Sequence, residues 1–466
     1  MISKDKIFDV LLISLFLILI TIGLTLNFTE ANSLASNRVY AQAHDPSPVL
    51  ISSPTNITQP GYYELGENLN GTQSAGYCIG IFASNVVLNG NGHSMSESFS
   101  GIGIYINTSA SNVTVEDVKI IGYYYGIYIN GSSDTVTNST LTNNGDGVYI
   151  IYGSNNIISR DTITNGVGIC IYKGSNNTIF TDDILNNGYG IYIVGSNNTI
   201  FNSNISNNWY GVDIYGYNNT IKSNSFKNDG LFTIFPNMIM NNTVNGRPLV
   251  YLYKISKVVI DNAGQVIAID SNDIKVADLN LSDTTVGVEF WNVNDSIIEN
   301  SSISNQHAYG VYINGSSDTV TNSTITNNNG GDGVYIFYGS NNVISRDTIS
   351  NDGGDGVYIG GFNNIVTNSY IANNYDFGVF VGNPNNKVVN STITNNGYGV
   401  FIGNYYSIES NSPITNSNDG VTIIIYCCFN NTVANSYITN NSYYGIYLAD
   451  TSGDHIYNKL INNKNN

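Results

Sequence analysis

The chain has 466 residues, with 16 Lys and Arg against 34 Asp and Glu, a formal net charge of −18 and only 11% charged residues. That balance argues against nucleic acid and anionic membrane surfaces, because no basic cluster exists to neutralise phosphate. With 47 Gly, 35 Tyr and abundant Asn, Ser and Thr, solubility must come from amides and hydroxyls, and long helices beyond the N-terminus are not expected.

Lys4 and Lys6 precede an apolar run from Val10 to Leu26. Residues 1–45 therefore read as a signal peptide or an uncleaved signal anchor, with the rest of the chain exported. Ala41-Gln42-Ala43 resembles a cleavage site but lies well beyond the apolar run, so both forms stay open. Residues 46–76, with Pro54, Pro60 and Gly61-Tyr62-Tyr63-Glu64-Leu65, read as an N-terminal cap closing a stack of repeats.

From residue 77 a period takes over. A glycine recurs at Gly103, Gly126, Gly147, Gly168, Gly190 and Gly211, then from Gly264 through Gly310 and Gly356 to Gly445, at spacings of 21 to 25 residues. Within one repeat, Gly190-Ile191-Tyr192-Ile193 alternates at period two, so Ile191 and Ile193 face one side and Tyr192 the other. Asn197-Asn198 and Asn207-Asn208 mark turns around short strands at Ile200 and Ile205. Three short strands and three turns per repeat predict an all-β parallel β-helix of about sixteen coils, each lying about 4.8 Å above the last. Inward Ile and Val would form apolar ladders and turn asparagines amide ladders.

The coils fall into two blocks, residues 77–225 and 264–466. The stretches Gly126 to Asp161 and Gly310 to Asp347 are nearly identical, which marks an internal duplication. Between the blocks, residues 226–263 break the period. They carry Phe235-Pro236 and a hairpin signal at Asn245-Gly246, and are expected to bulge from the rod as an irregular coil.

Asn85-Val86-Val87-Leu88-Asn89-Gly90-Asn91-Gly92-His93, the segment Val244 to Leu252, and Ala263-Gly264-Gln265-Val266-Ile267 together resemble the NosD-type family of periplasmic copper-binding proteins. The resemblance covers about residues 50–460. It implies a right-handed parallel β-helix of the carbohydrate-binding and sugar-hydrolysis type, and for the family's named member a role in copper-site maturation of nitrous oxide reductase.

Four sets of side chains could carry chemistry. Two residues after successive glycines stand Tyr105, Tyr128, Tyr149, Cys170, Tyr192 and Asp213, then Glu289, Tyr312, Tyr335, Tyr358, Phe380 and Phe401. An outward stripe of rings would offer flat faces and hydroxyls to a polysaccharide; the same rings would also stabilise the sheet by cross-strand pairing. Asp213 and Glu289 are weak candidates for a catalytic carboxylate pair, but counting coils places them beyond about 10 Å, too far for acid and base. Asp332 and Asp355, in adjacent coils, are weak candidates for a Ca²⁺ site. Ser159-Arg160-Asp161 and its copy at Arg346-Asp347 read as surface ion pairs.

Copper draws little support from the residues. His44, His93, His307 and His455 are scattered, and Met238-Ile239-Met240 reads as apolar packing. Cys78, Cys170, Cys427 and Cys428 read as incidental rather than as a disulfide framework. Sequons at Asn56, Asn112, Asn138, Asn204, Asn322 and Asn390 would permit N-glycosylation of an exported chain. The leading functional expectation is non-catalytic polysaccharide binding or adhesion at the cell surface. A polysaccharide lyase, hydrolase or epimerase is the second, and a copper-related role the third.

Overall fold

The fold is described from a computed structural model, over residues 47–404, 406–425, 431–434, 436–450 and 459–461. The chain divides into two compact units, Met1–Val49 and Leu50–Asn466. The expected signal segment over residues 1–45, with His44, lies outside the described residues, as do Cys427, Cys428 and His455. The described residues of the second unit contain strands and turns but no helix.

That unit is a parallel solenoid of about 17 turns. One turn shows why the sequence folds this way. Strands Tyr189–Ser196, Thr199–Phe201 and Asn204–Ser206 run along three sides of the coil. They pair in parallel with the next coil at Ile191↔Val212, Ile200↔Ile221 and Ile205↔Phe226. Ile191, Ile193, Ile200 and Ile205 are fully buried, so like stacks on like through the interior. Residues 55–70, expected as a cap, already follow the coil, with Thr55–Ile57 paired to Ile79–Ile81 and Leu69–Asn70 to Met95–Ser96.

The asparagine doublets explain the corners. The first member takes a left-handed backbone, as at Asn197 (φ 60) and Asn207 (φ 55), a conformation asparagine tolerates better than most residues. The second turns inward. Asn198 and Asn208 are buried, and each accepts a backbone N–H from the coil before, from Asn177 at 3.0 Å and from Asn187 at 2.9 Å. Their Nδ2 groups donate to carbonyls three residues earlier in that same preceding coil, Gly174 and Ile184, at 3.2 Å. Corner backbone groups that would otherwise be buried and unpaired are thus satisfied by stacked amides.

Residues 226–263 are not a bulge. They are a joint between two solenoids. The first set of ladders ends at Leu231–Thr233, Met238–Met240 and Thr243–Val244. The chain then reverses in a hairpin, Thr243–Val244 antiparallel to Arg247–Pro248, with Asn245 (φ 51) and Gly246 (φ 78) both left-handed, as a type I′ turn requires. Leu249–Tyr253 pairs in parallel with Gln265–Ile269 and begins a second set of ladders. One face of these strands belongs to each core. Leu249, Ile267 and Ile269 close the end of the first core, while Val266, Ala268 and Phe290 open the second.

Side chains stand in where the next strand is missing. Gln265 accepts the Leu231 N–H at 3.0 Å and donates to the Leu231 carbonyl at 2.6 Å. Thr285 accepts the Gly230 N–H at 3.0 Å. The last strand edge of the first solenoid is therefore covered rather than left open to another chain.

Candidate functional site

The stripe residues share one side of the solenoid, stacked in register, Tyr105↔Tyr128↔Tyr149 in the first block and Tyr312↔Tyr335↔Tyr358↔Phe380↔Phe401 in the second. They are half-buried rather than exposed, and Tyr312 is buried. The cause is the coil spacing. Rings at Tyr358–Phe380 and Phe380–Phe401 lie 4.9 and 4.6 Å apart and within 4° and 7° of parallel, so their flat faces are spent on each other. In the first block the stack is more tilted, with 44° at Tyr105–Tyr128, and the buried Cys170 breaks it before Tyr192. A sugar approaching this floor would meet ring edges and hydroxyls, not open faces.

A second aromatic column flanks the first. Tyr189–Tyr210 stack at 4.9 Å and Phe377–Tyr398 at 5.0 Å, and Tyr125 meets Tyr128 edge to face at 5.2 Å. Strict alternation hides this column, because residues three apart should point to opposite sides of a strand. The intervening glycine breaks the alternation. A Cβ on Gly126 would lie 2.6 Å from the Gly147 carbonyl oxygen, so the backbone bends there without one, and Tyr125 and Tyr128 share a side. The Tyr-Gly-x-Tyr spacing was the available signal.

Open rings border the columns. Tyr124 precedes one strand, and Tyr338, 64% exposed, follows another and packs on Phe337 at 4.2 Å. Others stand at the joint, where Trp209, Tyr215 and Tyr217 are exposed. The chain's two tryptophans stand on opposite sides of the joint. Trp209 of the first solenoid stacks on His307 of the second at 5.7 Å, while Trp291 lies against Tyr312 at 6.0 Å. Beneath them Tyr210, Phe232 and Tyr309 pack with Val286 and Ala308.

The joint also sets Glu289 where the Asp213 charge acts on it. Ile267 and Glu289 are register partners, and Ile267 faces the first core, so Glu289 is aimed at the first solenoid's last coils. It is fully buried and Asp213 is 3% exposed. Both Glu289 oxygens and Asp213 Oδ1 lack a hydrogen-bond partner. Burial lifts Asp213 to about 7. It lifts Glu289 well above the carboxylate range, chiefly by desolvation, with the Asp213 charge pushing the same way. Such a pair persists only with its charge reduced by protons.

Asp332 Oδ1 accepts the Asp355 N–H at 2.6 Å and Asp355 Oδ1 the Phe377 N–H at 2.9 Å, which ties one oxygen of each carboxylate to backbone. Two other expectations are corrected. Asp161 and Asp347 are not in surface ion pairs but buried, because Arg160 (φ 59) and Arg346 (φ 62) take the left-handed corner and turn the next residue inward. Met238 and Met240 point to solvent, and only Ile239 between them is buried.

His93 stands apart from His307, whose Nδ1 lies 3.1 Å from the Trp209 carbonyl. Among the described residues no group of three or more His, Cys, Asp or Glu side chains could hold a metal ion. Cys78 and Cys170 are free and buried, their thiols pushed up to about 11 and about 12 by desolvation. The sequon asparagines Asn56, Asn112, Asn138, Asn204, Asn322 and Asn390 are all exposed.

The family described as right-handed β-helix region matches residues 102–247, 232–411 and 377–466. No curated protein matches the chain. Among solved structures, the tailspike protein of E. coli bacteriophage HK620 in complex with a pentasaccharide is 11% identical, with a TM-score of 0.35, covering 92% of this chain and 74% of its own. The periplasmic alginate epimerase AlgG is also 11% identical, at a TM-score of 0.29 over 80% of this chain and 77% of its own. Pectate lyase Pel9A is 14% identical, at 0.28 over 53% and 68%. Likenesses of that size carry no argument about chemistry.

Proposed function

This chain belongs to the right-handed β-helix family, and on that scaffold we propose that it is an exported surface protein that binds neutral polysaccharide without cleaving it. The observation that carries the reading is the group of exposed rings at the joint, Trp209, Tyr215 and Tyr217, beside a half-buried floor of tyrosines, with Tyr338 exposed farther along the second solenoid. Exposed rings suit the apolar C–H faces of sugars, and the phenols of the floor supply hydroxyl donors and acceptors. The ligand class follows from charge. A chain at −18 repels a polyuronate, so a neutral glycan fits.

Catalysis by a lyase, hydrolase or epimerase is the second reading, favoured by the raised pKa values of Asp213 and Glu289, as acid catalysis would need. Their burial beneath the joint's aromatic cluster weighs against it, since no glycosidic bond reaches them there. A NosD-like copper role draws no support from the scattered His93 and His307, and His44 and His455 lie outside the described residues.

Affinity electrophoresis against a neutral β-glucan, a mannan and a polyuronate tests the proposal. Retardation is expected with a neutral polymer only. It should fall at least tenfold in Trp209→Ala and Tyr338→Ala and persist in Asp213→Asn and Glu289→Gln. Release of oligosaccharides, lost in the two carboxyl variants, would replace binding by catalysis.

A further inference from the structure

The inward corner position is not always asparagine. In the first corner column Asp134 and Asp318 occupy it, in the second Asp161, Asp182 and Asp347, and in the third Asp229 and Asp352. All seven are buried. One oxygen of each accepts a backbone N–H from the coil before, as Asn198 does. Asp134 Oδ1 takes it from Val113 at 3.0 Å, Asp347 Oδ1 from Ser323 at 2.7 Å and Asp229 Oδ2 from Asn208 at 3.1 Å. The other oxygen of each is buried with no partner.

That second oxygen occupies the place of the asparagine Nδ2. In the asparagine coils the spot beside Gly174 is bordered by the Gly153 carbonyl and Asn177 Nδ2, and Asn177 Nδ2 donates to that carbonyl at 3.0 Å. In the aspartate coils the spot beside Gly131 is bordered by the Ala110 carbonyl and Asp134 Oδ2, and the spot beside Gly315 by the Val293 carbonyl and Asp318 Oδ2. An ionised carboxylate would set two acceptors against each other in a dry corner, whereas a carboxylic acid supplies the missing donor.

We propose that these aspartates stand in the folded chain as neutral carboxylic acids, each replacing asparagine by donating from its second oxygen to a carbonyl of a preceding coil. The solenoid is thereby built for acidic surroundings and tightens as pH falls.

Burial dominates the rise of every one, to about 7 for Asp134, Asp229 and Asp347 and about 8 for Asp182 and Asp318, with Asp161 and Asp352 raised well above the usual range. Charged groups facing them are few. Asp182 faces Asp161, Asp183 and Arg160 face Asp182, Asp295 faces Asp318 and Asp332 faces Asp352; Arg160 is the one charge among these that opposes the rise, alongside the backbone N–H that each aspartate accepts. A folded pKa above the unfolded value of about 3.9 gives stability that is full below that value. It is lost as pH climbs through about 7 to about 8. Asp213, Glu409 and Asp355 titrate near 7 as well, so single-site variants are needed to assign the effect.

Two measurements on the full chain decide it. The urea midpoint of the wild type should rise from pH 8 to pH 4.5. Asp134→Asn and Asp347→Asn should raise the midpoint at pH 8, raise it much less at pH 4.5 and so flatten the slope. Infrared spectroscopy should show a protonated carboxylic-acid band at pH 6 that weakens in Asp134→Asn, a readout independent of whether other variants fold. A wild-type midpoint that is flat or falls on acidification, asparagine variants destabilised at pH 8, or no carboxylic-acid band at pH 6 would overturn the proposal.

Discussion

The duplicated segments give two readings of nearly one sequence. Tyr125 to Asp134 and Tyr309 to Asp318 differ by a single residue, Ile127 against Val311. Inside the coil they behave alike. Asp134 and Asp318 are both buried and take a backbone N–H at 3.0 and 2.9 Å, and Leu141 and Ile325 fill matching core positions. Outside they part. Tyr128 is half-buried between Tyr105 and Tyr149, whereas Tyr312 is sealed beneath the joint by Trp291 and Phe232. The repeat therefore dictates the inward faces, and the neighbourhood decides what the outward face can do.

Substitutions at matched sites sharpen that contrast. Leu141→Ala and Ile325→Ala should each cost about 2–5 kcal/mol, and by similar amounts, because the cavities open in equivalent coils. A twofold difference in urea-derived stability would break the equivalence. Tyr312→Ala should cost about 3–5 kcal/mol as a buried aromatic, against about 1 kcal/mol for Tyr128→Ala, where a cross-strand ring pair on a wetter face is lost. Equal costs would mean that the joint adds nothing to Tyr312. At pH 8, Asp134→Asn and Asp318→Asn should each gain about 1–3 kcal/mol by restoring a donor to an unpaired carbonyl, and the gain should shrink as pH falls towards the unfolded value of about 3.9. Smallest of all, Tyr338→Ala should shift stability by no more than about 0.5 kcal/mol while weakening glycan binding.

The coil was legible because glycine spacing and period-two alternation report backbone shape directly. Ile191, Ile193, Ile200 and Ile205 stand where alternation places them. The doublet Asn197-Asn198 signalled a turn, and Asn245-Gly246 a hairpin. What the doublet does not show is that its second member enters the corner, and the same oversight put Asp161 on the surface. That the Asp213 charge acts on Glu289 was beyond a count of coils, because counting assumes that each coil sits on the last. At the joint that rule fails: the outer face of the second solenoid's first strands closes the first core, through Leu249, Ile267 and Ile269. Both tryptophans lie at this break, where regularity ends and aromatic area must cover an open end.

Equilibrium titration of a neutral β-glucan oligosaccharide into the wild-type chain and into Trp209→Ala, with thermal unfolding followed in parallel, addresses the proposed binding face most directly. Saturable binding that falls at least tenfold in the variant, at an unchanged melting temperature, is the predicted result. Equal binding by both proteins would contradict it, and so would binding by neither.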